Sequence, residues 1–262
     1  MTRQHILFPC EGNWLAGTLD QAPGTTGLII VSGGNELRSG TWGGQARMAT
    51  QLAAAGYPVL RFDRRGVGDS DGGNGGYRTA APDIAAAVAA FRDEAPQVTR
   101  LVGWGNCDAA SALMLSGGVG FDALVLSNPW TYDEAAADEA PPPAMLRDHY
   151  RRRLTDPAAL KRLLSGKVSI RSLLGSLRIA VKPVEAKTEL TGLARELSDG
   201  IAAFAGDVRF LIAARDRTGQ AFKAAWHADD TRIRTCPDAT HSFVEAEARD
   251  WLERELLEML AP

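Results

Sequence analysis

Arg100-Leu-Val-Gly-Trp-Gly-Asn-Cys-Asp-Ala-Ala-Ser111 is the stretch on which the reading of this chain turns. Residues 101–104 are apolar and short enough for a buried strand, 105–109 carry turn formers, and 109–115 open an alanine-rich helix. Strand, sharp corner and helix in succession can lift a nucleophile into the open, provided that the residues two before and two after it are small. Larger side chains there would collide with the neighbouring strand and helix. Gly105 and Ala109 meet that demand around Cys107. Were Asp108 the nucleophile instead, its flanks would be Asn106 and Ala110, and Asn106 is too large.

Cysteine at such a corner has a chemical consequence. A thiol at a helix N-terminus and near a histidine can have its pKa drawn from ~8.5 down to roughly 3.5–7.5, and can then attack as a thiolate. The plainer reading, a small apolar residue closing a strand end, stays open at this point.

Working outward, the 262 residues suit one α/β domain with room for an inserted lobe. A chain that is 45% hydrophobic and 23% charged can bury a sizeable core and is not a disordered tract. Its formal net charge of -3 gives no argument for a nucleic-acid partner. No run reaches the ~18 apolar residues of a membrane span, and the opening residues lead into a strand-like run without a signal-peptide core. The expectation is a cytoplasmic protein. Three cysteines argue against a disulfide framework, and Cys10 and Cys236 read as small hydrophobes. Scattered histidines and cysteines supply no metal-ligand spacing. The glycine-containing loop over 64–76 has neither the Walker lysine nor G-x-G-x-x-G, so it reads as structural and no cofactor is expected.

The remaining patterns alternate. Strands are expected at 5–9, 14–19, 27–31, 57–63, 99–105, 122–128, 208–214 and 231–236. Helices are expected at 42–56, 79–94, 107–116, 189–204, 220–227 and 244–260. That alternation makes an α/β fold with a mostly parallel, doubly wound sheet. The character changes at Pro129: an acidic and proline-rich stretch is followed by basic helical segments. Between Ala144 and Lys187 eleven Lys and Arg stand against three acids, a net of about +8. Residues 131–204 are therefore read as an inserted helical lid, with 1–130 and 205–262 as the core. Solvated helix faces account for the charge, which would also let the lid contact anionic glycan or a membrane surface weakly. Oligomeric state is not legible.

Reacting groups in an open parallel sheet gather at the carboxyl ends of its strands. Two more residues stand where a triad needs them: Asp216 after the strand at 208–214, and His241 after the last strand. His241 would hold the proton and later activate water, with Asp216 orienting its ring. Asp216 could equally cap the following helix or pair with neighbouring arginines. The backbone N–H of Asp108, with one from Gly34 or Asn35 in the turn after residues 27–31, would face a developing oxyanion.

These residues carry a resemblance. The whole length resembles the α/β-hydrolase superfamily, with Phe62-Asp63-Arg64-Arg65-Gly66-Val67-Gly68-Asp69-Ser70 similar to the loop after the fourth strand of many members. The elbow Gly105-Asn106-Cys107-Asp108-Ala109-Ala110-Ser111, with Gly33-Gly34 upstream, resembles more narrowly the exosortase A system-associated hydrolase 1 group, encoded beside exopolysaccharide genes in Gram-negative bacteria. The resemblance covers the sheet well and the lid weakly, and implies a cysteine nucleophile and a hydrolase role. A Cys-His-Asp set on this fold is also similar to dienelactone hydrolase. The expected activity is cleavage of a small ester, thioester or lactone through an acyl-Cys107 intermediate. Acyl transfer to a glycan hydroxyl is the enzymatic alternative, and a non-catalytic binding protein that uses its basic lid is the other.

Overall fold

The computed structural model describes residues 2–131, 190 and 192–261. Its frame is one eight-stranded sheet in the order β1-β2-β4-β3-β5-β6-β7-β8. Strands β1 (Arg3–Cys10) and β2 (Asn13–Asp20) form a leading antiparallel hairpin. Its two turn residues, Glu11 and Gly12, both have positive φ, as the twist of a type I′ hairpin requires. Strand β2 lies antiparallel against β4 (Val59–Phe62). From there the sheet is parallel through β3 (Thr26–Val31), β5 (Arg100–Asn106), β6 (Ala123–Ser127), β7 (Asp207–Ala213) and β8 (Ile233–Cys236).

The continuous apolar run of β3 follows from burial on both faces. Leu28 and Ile30 face one core shared with α1 (Gly44–Ala54) and α6 (Ala246–Leu260). Ile29 and Val31 face the other, shared with α2 (Ala81–Glu94), α3 (Asp108–Leu115), α4 (Gly192–Ile201) and α5 (Arg217–Ala225). Each fully buried Leu, Ile or Phe in these layers contributes roughly 1.5–3 kcal/mol. Every expected core strand is present, with bounds shifted by a few residues, in the expected α/β arrangement of a mostly parallel, doubly wound sheet.

Two shifts have local causes. Helix α1 opens at Gly44 instead of 42 because Trp42 takes φ 56° in the preceding 3-10 turn. Its ring is 82% exposed, so the apolar residue marks no buried helix face. Helix α5 opens earlier than the expected 220, because Asp216 caps it. Of the lid expected over 131–204, residues 132–189 and 191 lie outside the described residues. Helix α4 buries Leu193, Ala194, Leu197 and Ile201 and packs on α3. No described helix is long and apolar enough to cross a membrane.

Candidate active site

The corner between β5 and α3 is built as the spacing predicts. Cys107 adopts φ 63°, ψ -128°, a strained conformation for a residue with a side chain, and is the N-cap of α3. Its amide donates to Ser127 O at 2.9 Å, and its carbonyl accepts from Ala110 at 3.1 Å, so backbone bonds on both sides hold the strain. The small flanks are required: a Cβ on Gly105 would lie 2.7 Å from the Ala109 carbonyl carbon. Cys107 is half-buried and reaches the surface, whereas Cys10 and Cys236 are buried.

The structure brings His241 and Asp216 to this corner. His241 Nδ1 lies 3.0 Å from Asp216 Oδ2. The ring also hydrogen-bonds Cys107, for which Nε2 is the nitrogen that remains. Both bonds favour the charged ring and raise the His241 pKa to about 10, Asp216 most strongly, while burial acts the other way. His241 is therefore an imidazolium at neutral pH. Asp216, 8% exposed at its side chain, holds His241 with the same oxygen that accepts the Gly219 amide at 2.9 Å. One carboxylate thus caps α5 and contacts the ring. The other histidines are placed elsewhere. His5 faces Thr18 on the leading hairpin, His227 sits edge-on to Trp226, and His149 lies outside the described residues.

One expected oxyanion donor is engaged. The Gly34 amide donates to Asp108 Oδ1 at 2.7 Å, so it does not face the cleft as a free donor. The correction is physical: a carboxylate one residue past the nucleophile outcompetes water for that N–H. Asp108 itself is the first residue of α3, where no carbonyl one turn earlier exists to accept its amide. Asn35 follows Gly34 in a tight turn closed by Glu36 N to Gly33 O at 2.8 Å. The amides of Asp108 and Asn35 are the expected donors that this carboxylate does not engage.

Sequence reasoning missed the residues that hold His241 by its backbone. Asn128, fully buried just past β6, takes φ 43°. Its Nδ2 donates to Asn106 Oδ1 at 3.0 Å and His241 O at 3.2 Å, and its Oδ1 accepts the Ala213 amide at 2.8 Å. Asn106 Nδ2 adds a bond to His241 O at 3.1 Å. A polar residue ending an apolar strand was the available signal. Above the sulfur is a cleft of about 460 Å³ walled by Gly33, Asn35, Tyr77, Trp130 and Ser242. A neighbouring cavity of about 550 Å³, between α1 and α6, shares Glu36, Thr41, Asn106 and Ser242 with it but is not lined by Cys107. No cluster of metal ligands occurs among the described residues.

Solved structures share the fold at low identity. The esterase Pf2001 of Pyrococcus furiosus superposes with a TM-score of 0.60 at 16% identity, over 99% of this chain and 94% of that one. Est1E of Butyrivibrio proteoclasticus, solved with ferulic acid, gives 0.60 at 17% identity over 98% and 100%. An α/β serine hydrolase homologue from Coxiella burnetii gives 0.60 at 15% identity over 100% and 99%. No curated protein matches the chain. Residues 28–255 match the model of the alpha/beta hydrolase family, and to that family this chain belongs.

Proposed function

We propose that this protein is a thiol hydrolase that cleaves a small ester, thioester or lactone through an acyl-Cys107 intermediate. The observation that carries the reading is a cysteine at the elbow, hydrogen-bonded to a histidine whose far nitrogen is held by a buried carboxylate. The structural neighbours that are esterases agree with an acyl substrate.

The Cys107 thiolate attacks the acyl carbon, and the carbonyl electrons move to an oxyanion faced by the Asp108 and Asn35 amides. Collapse of this tetrahedral species breaks the bond to the leaving alkoxide or thiolate, which takes the proton from His241. The neutral imidazole then deprotonates water, which attacks the acyl-cysteine. Collapse of the second tetrahedral species releases the acid and returns the thiolate beside a protonated His241. Asp216 keeps the ring aimed throughout. Thioesters and activated esters need less activation than amides, which favours an ester, thioester or lactone over a peptide.

The narrower resemblance of residues 105–111 to the exosortase-associated hydrolases supports a role in exopolysaccharide metabolism. The test is release of p-nitrophenol and of free thiol from short-chain esters and thioesters by the wild-type protein and Cys107→Ala. The proposal expects turnover by the first and none above background by the second. Equal rates would remove Cys107 from the reaction.

A further inference from the structure

The side chain of Asp108 has no step in the reaction above, yet it sits beside the nucleophile. A carboxylate there is electrostatically unwelcome, because it adds negative charge next to a thiolate and a developing oxyanion. The structure shows how the charge is contained. Asp108 Oδ1 accepts the Gly34 amide at 2.7 Å, and Oδ2 lies 3.3 Å from Arg64 Nη2. The same Nη2 donates to Gly34 O at 2.8 Å. Arg64 is 3% exposed, and its Nη1 is buried without a hydrogen-bond partner among the described residues. Leaving a guanidinium nitrogen stranded costs stability, which needs a compensating use.

The geometry of the turn supplies one. Gly34 has φ 52° at the first central position of the 33–36 turn, a conformation that few other residues adopt without strain. A Cβ on Gly33 would lie 2.4 Å from Asp108 Oδ1, so Gly33 leaves the space that the carboxylate occupies. Strands β4, β3 and β5 are neighbours in the sheet, and Arg64, Gly34 and Asp108 follow their respective carboxyl ends. One ion-paired carboxylate therefore ties three strand ends together beside the turn that carries Asn35. Asn74 Nδ2 holds the Asn35 side chain from the far side at 2.7 Å.

Resting on the thiol-hydrolase reading, we infer that the Asp108 side chain, neutralised by Arg64, is a positioning residue: it pins Gly34 and so sets the second oxyanion donor of the reaction. Its effect falls on steps that create an oxyanion and spares reactions of the sulfur that do not.

That difference is measurable. Acylation of Cys107 by p-nitrophenyl acetate passes through an oxyanion, whereas alkylation by iodoacetamide does not. In Asp108→Ala the acylation rate should fall about 100-fold, the cost of a donor displaced by ~1 Å, with KM within about threefold of wild type. Alkylation of Cys107 should not fall, since the change removes a negative charge near the sulfur and leaves Arg64 unpaired. Asp108→Asn, whose amide oxygen can still accept the Gly34 N–H, should recover most of the acylation rate, and its melting temperature controls for folding. Wild-type acylation in Asp108→Ala, a parallel loss of alkylation, or an Asp108→Asn no faster than Asp108→Ala would overturn the inference. A wild-type protein that no ester acylates would instead overturn the thiol-hydrolase reading itself.

Discussion

Asp216 offers a perturbation in which structure and chemistry separate. Its Oδ2 carries two loads, the Gly219 amide at 2.9 Å and His241 Nδ1 at 3.0 Å. Asparagine caps helices about as well as aspartate, so Asp216→Asn keeps the first load, while Asp216→Ala loses both. Loss of the cap costs about 1 kcal/mol, and for a chain of this length that lowers Tm by roughly 2–4 °C. The chemical loss is larger. His241 stands at a pKa of about 10, with Asp216 as the leading cause. If it returned to an ordinary value near 6.5, only about one ring in thirty would be protonated at pH 8. A fall in rate of up to roughly thirtyfold follows from protonation alone, because Cys107 still raises the pKa of the ring. Misorientation of the ring extends it toward the ~10⁴-fold loss seen when the corresponding carboxylate of a serine triad is neutralised. Initial rates on p-nitrophenyl acetate at pH 8, beside thermal melts, read both quantities. Asp216→Asn should keep the cap but lose the ion pair, melting below wild type with a rate about thirtyfold or more lower, and Asp216→Ala should melt lower still because the cap is lost as well. An Asp216→Asn protein with wild-type turnover would refute the reasoning.

Gly105→Ala places a methyl 2.7 Å from the Ala109 carbonyl carbon. Forcing the elbow apart should cost roughly 1–3 kcal/mol in denaturant titration and lower esterase activity about 100-fold or more. Asn128→Ala strands the buried Ala213 amide and removes one of the two amide donors on the His241 carbonyl. A loss of about 1–3 kcal/mol per stranded group should appear in the same titration, with reduced turnover because His241 is no longer fixed. The raised pKa of His241 also predicts a pH signature of stability. A group whose folded pKa lies above its unfolded value contributes fully below about pH 6.5, and that contribution disappears as pH rises through about 10. Denaturation midpoints of wild type should therefore decline across this window more than those of His241→Gln. Parallel curves for the two proteins would contradict the assignment.

The sheet was legible because each parallel strand is an apolar run closed by turn formers, and burial on both faces leaves that pattern little ambiguity. Helix starts were less so. Trp42 looked like the head of α1, but an exposed ring at positive φ carries no periodicity. In the site, Cys107, Asp216 and His241 could be found because each follows its strand in chain order, which is a one-dimensional property. The roles of Asn128, Arg64 and the Asp108 side chain depend on which strand ends become neighbours and on where a side chain turns. Residue spacing does not encode that. The same limit explains Gly34: the turn was visible, but its amide's engagement by a carboxylate 74 positions later was not.

The central claim is a covalent one, and mass spectrometry of the intact protein addresses it directly. Mixed with a slowly deacylating p-nitrophenyl ester and quenched in acid, wild type should gain one acyl mass, mapped by digestion to the peptide that contains Cys107, while Cys107→Ala gains none. An acyl group found on another residue, or undiminished ester turnover in Cys107→Ala with no adduct in wild type, would contradict the account.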